Sequence, residues 1–494
     1  MLRSAWIYPL LLVLVTIGVY ANSLGGDFVY DDKAMIVAYD LVKDIGNIPK
    51  AFTSATTLYG NVNYYRPVQT VSYMADYFLW GKEPLGFHLT NVIFHVACVL
   101  LVYVFINLLF KNRILGLVTA LLFSVHPAHT GVVSYIAGRA DSILCVFMLA
   151  CFIFYVKYRY TSGTKLDYIF SLLFFILTLL TKEFAMIIPV AVILFDRCAT
   201  PRTSLPERRQ VSPGYVPFFL ILAVYVLFRV KWMGFFVEGV VPPFPLKNRI
   251  ISAPYFFAQY LRLIVMPNDL HMGRAPWVAG TILDVKVIAS ILAIAAVGYA
   301  AYRAGKRSGA IYFGAWWFVL MIVPSLNIIA ASYYTFAENW LYMPSIGLFL
   351  IIAAASRVIY EKLTVSRFPA TKYAVVAVIG FFIFTMGAIT VVNNNTWKDE
   401  IALGTNTLRF NPEDFKIYNN MGVSYLAKGD LDKAERSFRK CLEIKPDTGM
   451  AYFNLYRVYM ARGRRKQAAQ YLNKARELDP ARVEILVEKM GIRD

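Results

Sequence analysis

Apolar blocks of roughly 17 to 25 residues recur along the chain, the length a helix needs to cross about 30 Å of hydrocarbon. Residues 373–392, for example, hold no charged side chain. In a bilayer core every backbone N–H and C=O must be satisfied within the protein, which makes the helix the natural form for such blocks. Of the 494 residues 58% are apolar and 16% charged, which excludes a disordered chain, a coiled coil and a soluble globular fold. The expected class is all-α: a polytopic membrane bundle of about eleven spans. They fall near residues 6–20, 87–110, 114–126, 132–156, 166–181, 184–197, 214–231, 283–302, 309–330, 341–358 and 373–392. The first run continues into Asn22-Ser23-Leu24 without a small-residue cleavage site and reads as a retained span. The five cysteines show neither metal nor disulfide spacing.

A net charge of +19 would suggest nucleic acid in a soluble protein, but here the basic residues gather at helix ends. Lys111 and Arg113; Lys157, Arg159 and Lys165; Arg197, Arg202, Arg208 and Arg209; Arg303, Lys306 and Arg307; and Arg357, Lys362, Arg367 and Lys372 mark alternate connections. The positive-inside rule makes that side cytoplasmic. It puts the N-terminus in the cytoplasm and the loop 25–85, with five basic and seven acidic residues, outside. Membrane lipids are expected partners and nucleic acid is not. Residues 251–265 are apolar enough to look like a span but contain Pro254, Gln259 and Arg262 and are short for one, a span needing about 20 residues; charge parity favours a re-entrant or interfacial helix there over a span.

Beyond residue 396 charge rises and a period of 34 appears. Tyr418, Tyr425, Gly429, Ala434 and Pro446 recur as Tyr452, Tyr459, Gly463, Ala468 and Pro480, the tetratricopeptide-repeat pattern. The expected domains are therefore 1–396 in the membrane and 397–494 as a short repeat stack outside. A half-repeat before Pro412 and a closing helix at 482–490 flank the two repeats. A structural cap and a groove for a protein acceptor are both open readings.

Candidate chemistry lies on the outer connections. Asp31 and Asp32 directly follow the first span, where adjacent carboxylates at a bilayer boundary call for a partner, a metal or a general-base task; an N-cap is the bland alternative. Arg66 lies in Tyr65-Arg66-Pro67. His88, Asn91 and His95 share one face of an apolar helix. His126 and His129 flank a proline turn; without an obvious third ligand, hydrogen bonding is favoured over metal there, and a divalent cation remains an open cofactor. Arg139 offers planar donors suited to phosphate, or an internal pair with Asp141 or Glu183. Lys182, Glu183 and Glu338 add charges at the same boundary.

The ordered set Tyr30-Asp31-Asp32, Tyr65-Arg66-Pro67, Gly86-Phe87-His88-Leu89-Thr90-Asn91 with His95, His126-Pro127, Gly138-Arg139-Ala140-Asp141, Lys182-Glu183 and Leu341-Tyr342-Met343-Pro344-Ser345, followed by the repeats, resembles the transmembrane and tetratricopeptide-repeat O-mannosyltransferase family. The likeness implies a bundle of the GT-C glycosyltransferase class and a polyprenyl-phosphate-linked sugar donor, with mannose the expected sugar. It implies transfer to Ser or Thr of exported proteins, Asp31 and Asp32 as the catalytic acids, and Arg139, with Arg66 or Lys182, at the donor phosphate. Gly131 and Asn339 depart from the family pattern, and the short stack suggests a prokaryotic member, in an inner membrane facing the periplasm. In a eukaryote the corresponding place is the ER membrane facing the lumen. The alternatives are transfer to a lipid or glycan, and a non-catalytic scaffold built on the repeats.

Overall fold

The computed structural model of the chain describes residues 6–54, 56–58, 62–199, 203–206, 214–233, 244–274, 277–328, 336–365 and 369–491. Arg202, Arg208, Arg209 and Arg367 of the basic connections lie outside these. Two compact units are present. One comprises residues 1–26, 31–270 and 276–395, and the other residues 27–30, 271–275 and 396–494.

The larger unit is a helical bundle. Among the described residues its strands are a three-residue antiparallel pair, Thr56–Leu58 with Val62–Tyr64, in the first long loop. Among the described residues eight helices are long and apolar enough to cross a membrane: Ile7–Gly25, Pro84–Phe110, Ile136–Tyr160, Tyr215–Trp232, Val285–Gly305, Gly309–Leu326, Glu338–Thr364 and Pro369–Trp397. A ninth is obtained if Arg113–Val125 and Pro127–Val133, bent by 58°, count as one span. The protein is an integral membrane protein.

The expected count of about eleven is thus corrected to eight or nine by length and composition. The shortfall lies in two places: 114–126, which counts only with the bent pair, and 166–197. Thr181, Lys182 and Glu183 break the chain into Lys165–Leu179, of 15 residues, and Ile188–Leu194, of 7, too short to span alone. They nevertheless run the depth of the bundle as a pair beside the Arg139–Tyr160 helix. Ser171 donates to Cys151 O midway (2.9 Å), Lys182 meets Asp141 at one end, and Asp196 meets Tyr160 at the other.

That helix is the hub: 78% of its apolar window is buried, against 11% for Val285–Gly305 and 17% for Pro369–Trp397, whose exposed Val285, Leu292, Phe381 and Phe384 suit lipid rather than water. Its far end carries a buried carboxylate cluster that the sequence did not announce. Asp196 accepts from the hydroxyls of Tyr155 (3.1 Å), Tyr215 (2.6 Å) and Tyr160, with Arg159 3.5 Å away. Leu246–Val265 is a 20-residue helix with Pro254 inside it, and its composition falls short of a span's.

The smaller unit stacks Glu400–Phe410, Phe415–Ala427, Leu431–Ile444, Gly449–Ala461, Arg465–Leu478 and Pro480–Lys489. Two helix pairs follow the 34-residue period, with a half-repeat before and a closing helix after. Its core is Ala434, Phe438, Phe453, Val458, Tyr459, Ala468, Leu472 and Val483. Glu435 knits the pairs together by accepting from Tyr459 Oη at 2.7 Å and pairing with Arg439 and Arg462. Burial alone would raise its carboxyl, but the hydrogen bonds from Tyr459, Arg439 and Arg462 hold it below the usual range.

The inter-helix turns rest on Gly429 (φ +78°) and Gly463 (φ +72°), where a Cβ would meet nothing within 4 Å. Alanine at either position therefore costs only the left-handed backbone penalty, about 1 to 2 kcal/mol. Hydrogen exchange of the 415–478 helices in the full chain should report that loss of local stability; unchanged protection would show the turns to be dispensable.

Candidate functional site

The site is organised by a stretch of irregular backbone. After the Pro127–His129 turn and the short helix Thr130–Val133, residues Ile136–Gly138 form a 3-10 turn leading into the Arg139 helix. The turn closes tightly because Gly138 lacks a Cβ: one built there would collide with the backbone of Gly131 and Val132. Non-helical backbone at this depth must be satisfied by side chains, and four provide it. Asn91 Nδ2 donates to the carbonyls of Val133 (3.1 Å), Tyr135 (3.0 Å) and Ile136 (3.4 Å). Tyr73 Oη donates to Ile136 O (3.3 Å) and Gln69 Nε2 to Ala137 O (3.1 Å). Asp32, fully buried, accepts from Ala137 N through Oδ1 at 2.7 Å.

Asp31, half-buried, is held through its backbone, its N–H donating to Tyr135 Oη at 3.3 Å. The two neighbouring carboxylates thus differ in surroundings. The Asp32 side chain braces the turn, whereas Asp31 retains partial exposure.

Arg139 is fully buried. Its guanidinium lies 2.5 Å from Asp76 Oδ2 and donates to Asn91 Oδ1 (2.6 Å), Phe87 O (2.7 Å) and the Ser72 carbonyl and hydroxyl (3.3 Å each), with the Tyr73 ring 4.9 Å away. The alternative pair of Arg139 with Asp141 or Glu183 is not the one formed. Its partner is Asp76, and every nitrogen of the guanidinium has a partner inside the protein. Burial pushes the Asp76 carboxyl up, against the opposing pull of Arg139 and of the Thr90 hydroxyl, which donates at 2.7 Å.

Asp141 instead pairs with Lys182 at 2.5 Å and accepts from Asn339 Nδ2 at 2.9 Å, which places Asn339 and its neighbour Glu338 at this end of the bundle. Glu183 bridges Arg66 (3.1 Å) and Arg229 (3.6 Å), and Arg229 lies 5.4 Å from the Tyr65 ring. Burial raises the Glu183 carboxyl, but the positive charge of Arg66 and Arg229 outweighs it, so the net displacement is downward. The pairs Arg66–Glu183 and Lys182–Asp141 keep some exposure, 14–19% for the cations, where Arg139 has none.

The structure therefore gathers Asp31, Asp32, Arg66, Asn91, Arg139, Lys182 and Glu183 around one end of the Arg139 helix. His88 is buried close by against Gly26. His126 and His129 stand apart from this group. With His95 they form an aromatic cluster around Phe123, Tyr342 and Phe349. His129 bridges Phe123 O (2.9 Å) and Ser345 Oγ (3.1 Å), and His126 Nε2 meets Ile264 O (3.1 Å), tying in the Leu246–Val265 helix. Among the described residues no group of three or more His, Cys, Asp or Glu is placed to hold a metal.

Sequence reasoning missed Gln69, Tyr73 and Asp76, all on the helix Pro67–Trp80. An acid among its aromatic residues was the available signal. Breaking the Arg139–Asp76 pair leaves a buried uncompensated charge, so Asp76→Ala should cost about 3 to 5 kcal/mol. The double variant Asp76→Leu/Arg139→Met should recover much of it in thermal unfolding of the purified membrane protein. Equal losses in single and double variants would exclude the pair as the source.

A tetratricopeptide repeat is matched at residues 415–448. The protein O-mannosyl-transferase F38B6.6 of Caenorhabditis elegans is 26% identical over 457 residues, covering 88% of this chain and 63% of that protein. The human protein O-mannosyl-transferase TMTC3 is 24% identical over 516 residues, covering 95% and 55%. The chain thus spans between half and two-thirds of the length of these curated relatives. Among solved structures, the apo oligosaccharyltransferase of Archaeoglobus fulgidus overlaps at TM-score 0.46 and 13% identity, over 84% of this chain and 60% of that one. ArnT of Cupriavidus metallidurans bound to undecaprenyl phosphate overlaps at 0.42 and 13%, over 84% and 80%. The motifs from Tyr30 to Ser345, the repeats behind them and relatives aligned along most of the chain make it a homologue of the transmembrane and tetratricopeptide-repeat protein O-mannosyltransferases.

Proposed function

We propose that the chain is an integral-membrane glycosyltransferase of the GT-C class that transfers mannose from a polyprenyl-phosphate donor to Ser or Thr hydroxyls of exported proteins. The reaction takes place on the non-cytoplasmic side, where the repeats also lie and bind the acceptor. The observation that carries the reading is the gathering of the Asp31-Asp32 pair and the Arg66 and Lys182 ion pairs at one end of a membrane bundle. Relatives named protein O-mannosyl-transferase support it.

In this mechanism Asp31 accepts the proton of the acceptor hydroxyl as its oxygen attacks the anomeric carbon, and the bond to the donor phosphate breaks on the opposite face with inversion. Arg66 and Lys182 meet the charge that develops on the leaving phosphate, the main electrostatic task of such a transfer. Both are paired with carboxylates beforehand, which keeps them oriented. Arg139, enclosed by its own partners, positions the turn that Asp32 grips. Catalysis falls to Asp31, and Asp32 orients it.

Asp31→Asn removes the base while keeping the side chain's shape. It should abolish hexose on Ser and Thr of exported proteins, a loss of at least about 100-fold in rate. Glycopeptide mass spectrometry of cells carrying the wild-type chain, the variant or neither, at matched membrane abundance, reads this out. No mass change in any protein with the wild-type chain would sink the protein-acceptor reading and direct attention to lipid and glycan acceptors.

A further inference from the structure

The four residues before the acid pair cluster with the C-terminal helices. Asp27 N donates to Lys398 O at 2.8 Å, and Tyr30 N donates to Glu400 Oε2 at 3.0 Å, across 370 residues of sequence. Val29 between them is buried, as is Trp397.

Glu400 is the first residue of the helix Glu400–Phe410 and is 5% exposed. A buried carboxylate is affordable there because the first turn of a helix presents unpaired N–H groups and the positive end of the helix dipole. Asp399 caps the same helix, accepting from Ala402 N at 2.8 Å.

Tyr30 has φ +49°, in the left-handed region, one of three non-glycine residues there among the described residues. A tyrosine holds that conformation against a steric penalty, so the surroundings must fix it. The dihedrals of Tyr30 set the direction in which Asp31 leaves the backbone, and Asp32 is fixed separately on Ala137 N. Asp31 is therefore bracketed by two anchored residues.

We propose that Glu400 is a positioning residue for Asp31: by accepting from the Tyr30 N–H it holds the left-handed bend that aims the catalytic carboxylate. This rests on the transferase reading above. The role is independent of any acceptor that the repeats bind.

The test compares the full-length chain with Glu400→Met, which keeps bulk and loses the acceptor, and Glu400→Gln, which keeps a carbonyl acceptor. Glu400→Ala serves where Glu400→Met does not accumulate. The probes are a mannosyl polyprenyl phosphate, a short Ser/Thr peptide and a folded protein acceptor. Loss of the acceptor should lower kcat about 10- to 100-fold with both acceptors and leave the acceptor KM nearly unchanged. Glu400→Gln should return most of kcat. Amide exchange at Tyr30 should quicken by about 10-fold or more in Glu400→Met and Glu400→Ala but not in Glu400→Gln.

A wild-type chain with normal transfer and a Glu400→Met variant of unchanged kcat would overturn the positioning role alone, as would wild-type protection at Tyr30 in that variant. A loss confined to KM for the protein acceptor would overturn it too, by assigning Glu400 to acceptor binding. A wild-type chain without transfer would overturn the transferase reading instead, with Tyr30 exchange still deciding whether Glu400 holds the bend.

Discussion

A guanidinium with no exposed surface, Arg139, is the constraint around which one end of the bundle is built. An unpaired charge at that depth would be prohibitive, so each of its contacts fixes something else. Asp76 draws in the Pro67–Trp80 helix, Phe87 O and Asn91 draw in the start of the Pro84–Phe110 helix, and Asn91 in turn satisfies three carbonyls of the 133–136 backbone. The turn so held presents Ala137 N to Asp32. Satisfying one cation thereby sets the position of the acid pair.

The other cations differ from Arg139 in kind. Arg66 and Lys182 each have one carboxylate partner and keep some surface. A pair of this type loses little when a second anion approaches, because the cation is already oriented and only partly desolvated. A cation with four partners and no surface would have to abandon them. That difference in enclosure, rather than nominal charge, separates Arg139 from the two partly exposed cations.

Much of this was legible in the sequence. Apolar blocks and the 34-residue period record burial and helix-pair stacking directly, and each survives as a residue pattern. Asp31, Arg66, Lys182 and Glu183 were visible as charges at span boundaries. The partner of Arg139 was not, because Asp76 lies 63 positions upstream on a helix whose packing no local pattern reveals; Asp141, two residues away, was the nearer but mistaken choice. The bent and shortened segments around 113–133 and 165–199 were counted as full spans because hydropathy records composition and not where polar breaks such as Thr181-Lys182-Glu183 interrupt a helix. The Asp196 cluster escaped notice for the same reason as Asp76: its tyrosines are 36 to 41 residues before it and 19 after.

Adjacent carboxylates in Asp31-Asp32 invite a symmetric reading, as a shared-proton pair or a metal site. Burial breaks the symmetry. Asp32 is fully enclosed and its Oδ1 accepts a backbone N–H, a contact that fixes the side chain in place. Asp31, one residue earlier, points from backbone fixed on both sides and keeps partial access. Of two acids in sequence, one therefore braces the turn and the other keeps access beside it.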